Sequence, residues 1–412
     1  MIESAKLPRR TSAVTMALCY LIAVFEGFDL QAAGVAAPKL GPALGLTPDQ
    51  LAWFFSSSTF GLMIGAAVGG RLSDRFGRKS VLIWAVSIFG LMSIGTGLAH
   101  NFELLLAMRF LTGVGLGGAL PNLVALTAEN APAHEKNTAV GLLYAGLPSG
   151  GALVSLLSIF GAVDNWQIVF HVGGIAPLLA VPLLIMVLPE SRELKSQRAA
   201  AAEVTGPKHG GFYFALFQEG RAGRSILLWV AFFLALLTMY LLLNWLPTLL
   251  VGRGLSRPDA SLVQLTFNVF GAVASLCTGL AMDRLSLRWV TIVSFASAAV
   301  ALALLSAAPP QLVIAATIGG LVGVAMSATQ ALLYAIAPAN YPTKVRGTGV
   351  GTAVTIGRLG SAAGPLLAAA LLGSGRSPTE VLSVLIPIIL VSGAATFVLV
   401  LLMARQRTEE PR

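Results

Sequence analysis

Two carboxylates three residues apart, Glu26 and Asp29 in Phe25-Glu26-Gly27-Phe28-Asp29, interrupt an otherwise apolar stretch over residues 14–37. That stretch is long enough to cross a bilayer. One ionised carboxylate at the centre of a spanning helix costs about 2.5–3.5 kcal/mol on insertion scales, so two in one span point to work on protons, ions or a polar solute. The i,i+3 spacing puts both acids on one helix face, about 4.5 Å apart in depth. Facing a watery pathway, they would titrate as a coupled pair that loads a proton on one side and releases it on the other. The competing reading is a pair held neutral by an arginine.

Two arginines also lie inside apolar stretches. Arg358, in Gly357-Arg358-Leu359-Gly360, keeps its proton and therefore needs an anion. That anion is either a solute carboxylate, held by two parallel hydrogen bonds, or one of Glu26 and Asp29. Arg109, in the outer part of its span, either tunes the proton site and joins the solute-binding group or braces helices. His100, His134, His171 and His209 fall at or near loops and read as packing or surface residues.

The elements that must position these groups are membrane helices. The chain has 412 residues, 56% hydrophobic and 11% charged, where a soluble domain carries about 25% charged residues. Apolar runs recur at 14–37, 51–72, 80–99, 104–128, 138–161, 167–188, 225–251, 260–282, 288–308, 311–338, 346–372 and 380–404. Lipid offers no partner to open backbone groups, so these are helices. The expected fold class is an all-α membrane protein of twelve transmembrane helices in two six-helix halves. The first half covers 1–188, a cytoplasmic linker 189–224, with a short surface helix at 193–203, and the second half 225–412. The basic start of the chain precedes an uncleaved first helix. Of 27 Lys and Arg, 21 fall on the side of the two termini and 4 on the other, which makes the termini cytoplasmic. Spans 3, 6, 9 and 12 carry no charge in their cores and read as lipid-facing scaffolding.

The halves repeat. Gly70, Asp74 and Arg75 match Gly279, Asp283 and Arg284 at a shift of 209; Asn130, Pro132, Thr138, Val140 and Gly141 match Asn340, Pro342, Thr348, Val350 and Gly351 at 210. Two near-equal shifts indicate a duplicated unit, and two parallel halves with a site near the midplane make a carrier architecture.

Three motifs carry a family resemblance. Gly70-Arg71-Leu72-Ser73-Asp74-Arg75-Phe76-Gly77-Arg78-Lys79, Arg109-x-x-x-Gly113-x-Gly115-x-Gly117 and Pro189-Glu190-Ser191 are similar to patterns of the major facilitator superfamily. Glu26-Gly27-Phe28-Asp29 resembles the Asp-Gly-x-Asp of its aromatic acid:proton symporter family, with glutamate in place of the first acid. Further stretches, among them Gly115 to Leu123, Asn244-Trp245-Leu246-Pro247 and Gly351 to Gly360, are similar to those of carriers for 3-(3-hydroxyphenyl)propionate. The resemblance implies a proton-coupled importer of that acid or a hydroxybenzoate, in the inner membrane, acting as a monomer without cofactor, metal or nucleic acid. It implies Asp29 and Glu26 as proton sites and Arg358 as the carboxylate site. An aromatic solute needs aromatic walls and a polar partner for its hydroxyl. Asn122, Tyr144, Tyr240, Asn244, Trp245, Asn268, Gln330 and Tyr334 are the candidates, with Asn244 and Gln330 foremost; the alternative for each is helix–helix bonding or an interfacial position. Gly70 and Gly77 are expected to permit the turn between helices 2 and 3. Asp74, Arg75 and Arg78, with Asp283 and Arg284 as a reduced second copy, are expected to latch the closed cytoplasmic side. The glycines of the helix 4 motif are expected to serve close packing.

Other cargo, such as a non-aromatic acid or an exported drug, is the nearest rival. A sensor without transport would need a soluble output domain, and an enzyme would need clustered catalytic groups; neither pattern occurs.

Overall fold

A computed structural model describes residues 9–132, 136–160, 165–188, 221–342 and 345–409. The helices are α1 (Arg9–Ala43), α2 (Pro48–Phe76), α3 (Arg78–Gly97), α4 (Phe102–Asn130), α5 (Lys136–Ile159), α6 (Gln167–Val187), α7 (Ala222–Gly252), α8 (Arg257–Arg284), α9 (Leu287–Ala307), α10 (Leu312–Ala339), α11 (Arg346–Gly373) and α12 (Pro378–Glu409). Among the described residues, all 12 are long and apolar enough to span a membrane. The ninth and tenth spans are separated as the prolines require. α9 stops at Ala307 and α10 starts at Leu312, because Pro309 and Pro310 lack the N–H a continuous helix needs. The helix expected at 193–203 lies outside the described residues.

Two compact units emerge from the internal contacts: Met1–Lys39 with Ser57–Thr205, and Leu40–Ser56 with Gly206–Arg412. The segment Leu40–Ser56 groups with the second unit. There the Ser56 hydroxyl donates to the Ala362 carbonyl at 2.8 Å, and the Phe55 and Trp245 rings meet edge-on at 5.4 Å.

Glycine sets the helix spacing. A methyl group on Gly150 of α5 would stand 2.0 Å from the Val24 carbonyl oxygen of α1, and one on Gly27 2.0 Å from that of Leu147. On α4, a methyl on Gly113 would meet the Ser58 oxygen at 2.0 Å and one on Gly117 the Leu62 oxygen at 2.1 Å. Gly115 faces the backbone of Ala85 and Phe89 on α3. Lipid tails are as apolar as leucine, so membrane helices associate through such close contacts instead of through hydrophobic burial.

The second unit reproduces the scheme: Gly360 of α11 lies against the Phe233 carbonyl and Gly323 of α10 against that of Phe267. Gly113 and Gly323, like Gly150 and Gly360, are 210 positions apart; their partners Ser58 and Phe267, and Val24 and Phe233, are 209 apart. The duplication read from the loops therefore extends to the atoms in contact, including its one-residue change of shift. Extensive α3–α6 packing in the first unit is matched by α9–α12 in the second.

A methyl on Gly323 would stand 2.0 Å from backbone oxygen, which cannot move without its helix. Overpacking costs about 1–3 kcal/mol, more than the roughly 1 kcal/mol that alanine returns in helix propensity. Thermal unfolding in detergent should show lower midpoints for Gly323→Ala and Gly113→Ala. Gly279→Ala, whose methyl meets nothing within 4 Å, should show none.

Candidate functional site

The first unit buries a four-helix polar cluster. Asp29 comes from α1, Ser93 from α3, Arg109 from α4 and the Phe170 carbonyl from α6. Arg109 Nη1 donates to Asp29 Oδ2 at 2.9 Å, and Nη2 reaches the Asp29 carbonyl at 3.4 Å. Ser93 Oγ is 2.6 Å from Asp29 Oδ1 and 3.1 Å from the Phe170 carbonyl oxygen. The Arg109 guanidinium also lies over the Phe170 ring, 5.7 Å from its centroid, a cation–π arrangement. Small residues make this convergence possible. A methyl on Gly174 would lie 2.4 Å from the Gly90 carbonyl, so α3 and α6 approach closely enough for Ser93 to reach Phe170.

Both acids are enclosed in this structure. Asp29 is 0% and Glu26 1% exposed in this structure. A buried carboxylate is tolerable because a hydrogen-bonded cation matches it, and that cation is Arg109, itself 1% exposed. Of the two intramembrane arginines, Arg109 is the one that pairs with Asp29. Helices 3 and 6, expected to be scaffolding alone, both contribute to the cluster. Ser93 carries no signal in the sequence, since one serine among apolar residues is unremarkable.

The second unit gathers the other candidates. Arg358 of α11 is half-buried; its Nη1 donates to the Tyr240 hydroxyl of α7 at 2.5 Å, and its guanidinium lies 5.9 Å from that ring's centroid. Gly357 and Gly360, on either side, press α11 against α7 and bring Arg358 to Tyr240. Tyr334 of α10 lies within electrostatic reach of both Arg358 and Tyr240 and meets Phe232 of α7 edge-on at 5.3 Å. Asn244 is buried one turn beyond Tyr240, its Nδ2 donating to the Tyr240 carbonyl at 2.8 Å. Gln330, half-buried, shares a face of α10 with Tyr334 at i,i+4. Trp245 packs on Phe55, and Asn268 bonds within its own helix, to the Gln264 carbonyl at 2.9 Å.

Asn122 and Tyr144 belong to the first unit. Asn122 accepts from Ser73 at 2.7 Å and donates to the Gly118 carbonyl at 2.8 Å, which ties α4 to α2. This geometry is that of helix bracing. Tyr144 is 40% exposed on α5.

In the loop motif, Gly77 carries the turn. Its φ of 99° lies in the left-handed region that favours glycine. Gly70 sits within α2 with open space where a methyl would go, so the turn does not require it. Arg78 pairs with Glu129 at the end of α4, a partner the motif does not reveal. Lys79 Nζ donates to the Ile185 carbonyl at 2.7 Å, and the Arg75 guanidinium lies 5.2 Å from the Phe76 ring centroid. Arg284 is exposed at the end of α8; the side chains of Asp74 and Asp283 lie outside the described residues.

Comparison with known proteins agrees with this architecture. The sequence profile of the Major Facilitator Superfamily matches residues 19–272 and 228–412. Over 412 residues, 99% of each chain, the sequence is 41% identical to the 3-(3-hydroxy-phenyl)propionate transporter of Escherichia coli (strain K12). It is 35% identical to the gallate transporter of Pseudomonas putida over 87% of this chain and 85% of that one. A solved D-xylose-proton symporter, 19% identical, shares the fold with a TM-score of 0.72 over 94% of this chain and 96% of that one. By profile, by full-length relatives and by fold, the chain belongs to the Major Facilitator Superfamily, a family of membrane carriers and not of enzymes.

Proposed function

We propose that this carrier imports a small aromatic carboxylate together with protons, by alternating access. The observation that carries the reading is the Arg358 group: a guanidinium inside a membrane helix, held by a tyrosine hydroxyl and bordered by further aromatic rings. A planar guanidinium fork matches a carboxylate, and rings at its side match an aromatic body. Relatives named for 3-(3-hydroxy-phenyl)propionate, gallate and 4-hydroxybenzoate support this cargo class. On this reading Arg358 takes the carboxylate, and Tyr240, Tyr334 and Phe232 form walls. Asn244 and Gln330 offer amides to a ring hydroxyl.

Asp29 is the proton site, with Glu26 as its partner and Arg109 as the cation that tunes it. Arg75, Gly77 and Arg78, with Asp74, Asp283 and Arg284, bias the conformational equilibrium. The protein works as a monomer in the inner membrane with both termini in the cytoplasm.

Asp29→Asn cannot exchange a proton. In proteoliposomes under an imposed pH gradient it should lose uphill accumulation of 3-(3-hydroxyphenyl)propionate yet retain exchange of labelled for unlabelled solute; normal accumulation would refute the assignment.

Lysine at position 358 keeps the charge but loses the fork. Hydrogen bonds to charged groups contribute about 1.5–3 kcal/mol, so Arg358→Lys should weaken binding about ten- to hundred-fold. Titration with a panel of aromatic and aliphatic acids reads this directly, and equal loss for acids and uncharged analogues would speak against carboxylate recognition.

For topology, a phosphatase reporter should be inactive when fused after Glu409 and active when inserted at Arg253, between α7 and α8.

A further inference from the structure

We propose that the Ser93 hydroxyl is a two-position partner of Asp29, a positioning residue that keeps the buried acid hydrogen-bonded in both its charged and its protonated form. The inference rests on the proposed role of Asp29 as the proton site. A serine hydroxyl has one hydrogen to donate. Two acceptors compete for it: Asp29 Oδ1 at 2.6 Å and the Phe170 carbonyl oxygen at 3.1 Å.

With Asp29 ionised, the hydrogen points to Oδ1. The 2.6 Å separation falls in the range of about 2.5–2.7 Å for a hydroxyl on a charged oxygen. Arg109 occupies the other oxygen, Oδ2, at 2.9 Å. A proton arriving from water therefore disturbs the ion pair least if it lands on Oδ1. The new Asp29 O–H then donates to Ser93 Oγ, and the serine hydrogen rotates to the Phe170 carbonyl. One proton is gained, one O–H bond forms and none is broken. Neither form leaves Ser93 or Oδ1 without a hydrogen bond, which at 0% exposure would be costly.

The relay ends at the residue whose ring lies beneath the Arg109 guanidinium. The protonation state of α1 is thus written into a contact between α3 and α6. Arg109 of α4 pairs with Asp29, Glu26 stands one turn earlier on α1, and α6 carries the titratable His171. The His171 ring lies against Gly97 of α3. Arg109 can only donate, so it cannot replace a hydroxyl that both accepts and donates at Oδ1.

The two forms do not benefit equally. A bond to the charged carboxylate is roughly twice as strong as one between neutral groups. Removing the hydroxyl therefore weakens the ionised form more, and the acid takes its proton at higher pH. The experiment is the pH profile of uptake by the full chain in proteoliposomes. Ser93→Ala should move the midpoint to higher pH by about one unit, while Ser93→Thr, which keeps a hydroxyl, should hold the wild-type midpoint.

Infrared difference spectra provide a second readout that does not need transport. The protonated carboxyl band, identified by its absence in Asp29→Asn, should change frequency in Ser93→Ala and not in Ser93→Thr. A lower rate at an unchanged midpoint, or an unchanged carboxyl band, would show Ser93 to be merely structural and overturn the inference. Should Asp29→Asn still accumulate solute, the proton-site reading fails and this one with it. Should Asp29→Asn lose accumulation while Ser93→Ala keeps the midpoint, the Ser93 inference alone fails.

Discussion

A carboxylate with no exposed surface must find its counter-charge within the protein, and the Asp29–Arg109 pair meets that demand. Separating such a pair by removing one member typically costs about 3–5 kcal/mol, because the survivor is left as an uncompensated buried charge. The pair links α1 to α4, and through Ser93 and the Phe170 carbonyl it engages α3 and α6 as well. Four of the six helices in the first unit thus meet at one charge. The cluster is compatible with lipid around the unit because the Asp29 carboxylate, the Ser93 hydroxyl and the Arg109 Nη1 are turned to one another.

Such convergence depends on backbone spacing. Gly27 and Gly150 bring α1 to α5, Gly113 and Gly117 bring α4 to α2, and Gly90 and Gly174 bring α3 to α6. The second unit keeps the packing and changes the chemistry. Gly323 and Gly360 stand where Gly113 and Gly150 do, but the positions matching Asp29 and Arg109 at shifts of 209 and 210 are Thr238 and Gly319. Arg358 has Pro148 as its counterpart. The two copies share a scaffold held by glycine; the acid–arginine pair stands in one and the arginine–tyrosine group in the other. On the proposed reading, the first unit's pair handles protons and the second unit's group the anion.

The fold was legible in the chain because lipid removes alternatives. Apolar length alone identifies each span, and Pro309-Pro310 places the break between the ninth and the tenth. The candidate groups were legible by type, since Asp29, Arg109 and Arg358 are each conspicuous in an apolar stretch. What could not be read was pairing. Helical periodicity says which face Asp29 occupies, but not whether that face meets water or Arg109. The same limit applies to Glu129, which only the folded end of α4 brings to Arg78, and to Ser93, whose meaning comes wholly from two acceptors on other helices. Asn122 shows the converse: an amide conspicuous in an apolar span whose bonds go to Ser73 and to its own helix.

The energetics of the pair explain why two acids are useful. Moving one charge through 100 mV is worth about 2.3 kcal/mol, less than the roughly 3–5 kcal/mol needed to leave a buried guanidinium without its anion. The field by itself therefore cannot free Arg109; its compensation has to be exchanged and not simply removed. On the proposed reading, protonating Oδ1 of Asp29 neutralises the acid without displacing the arginine, and a second carboxylate about 4.5 Å along the same helix takes over the charge balance. Glu26 occupies that position, on the same face and equally buried. In the proposed cycle a lone aspartate would pass through an unpaired buried cation, whereas two acids let the proton load change while the arginine keeps an anion within reach.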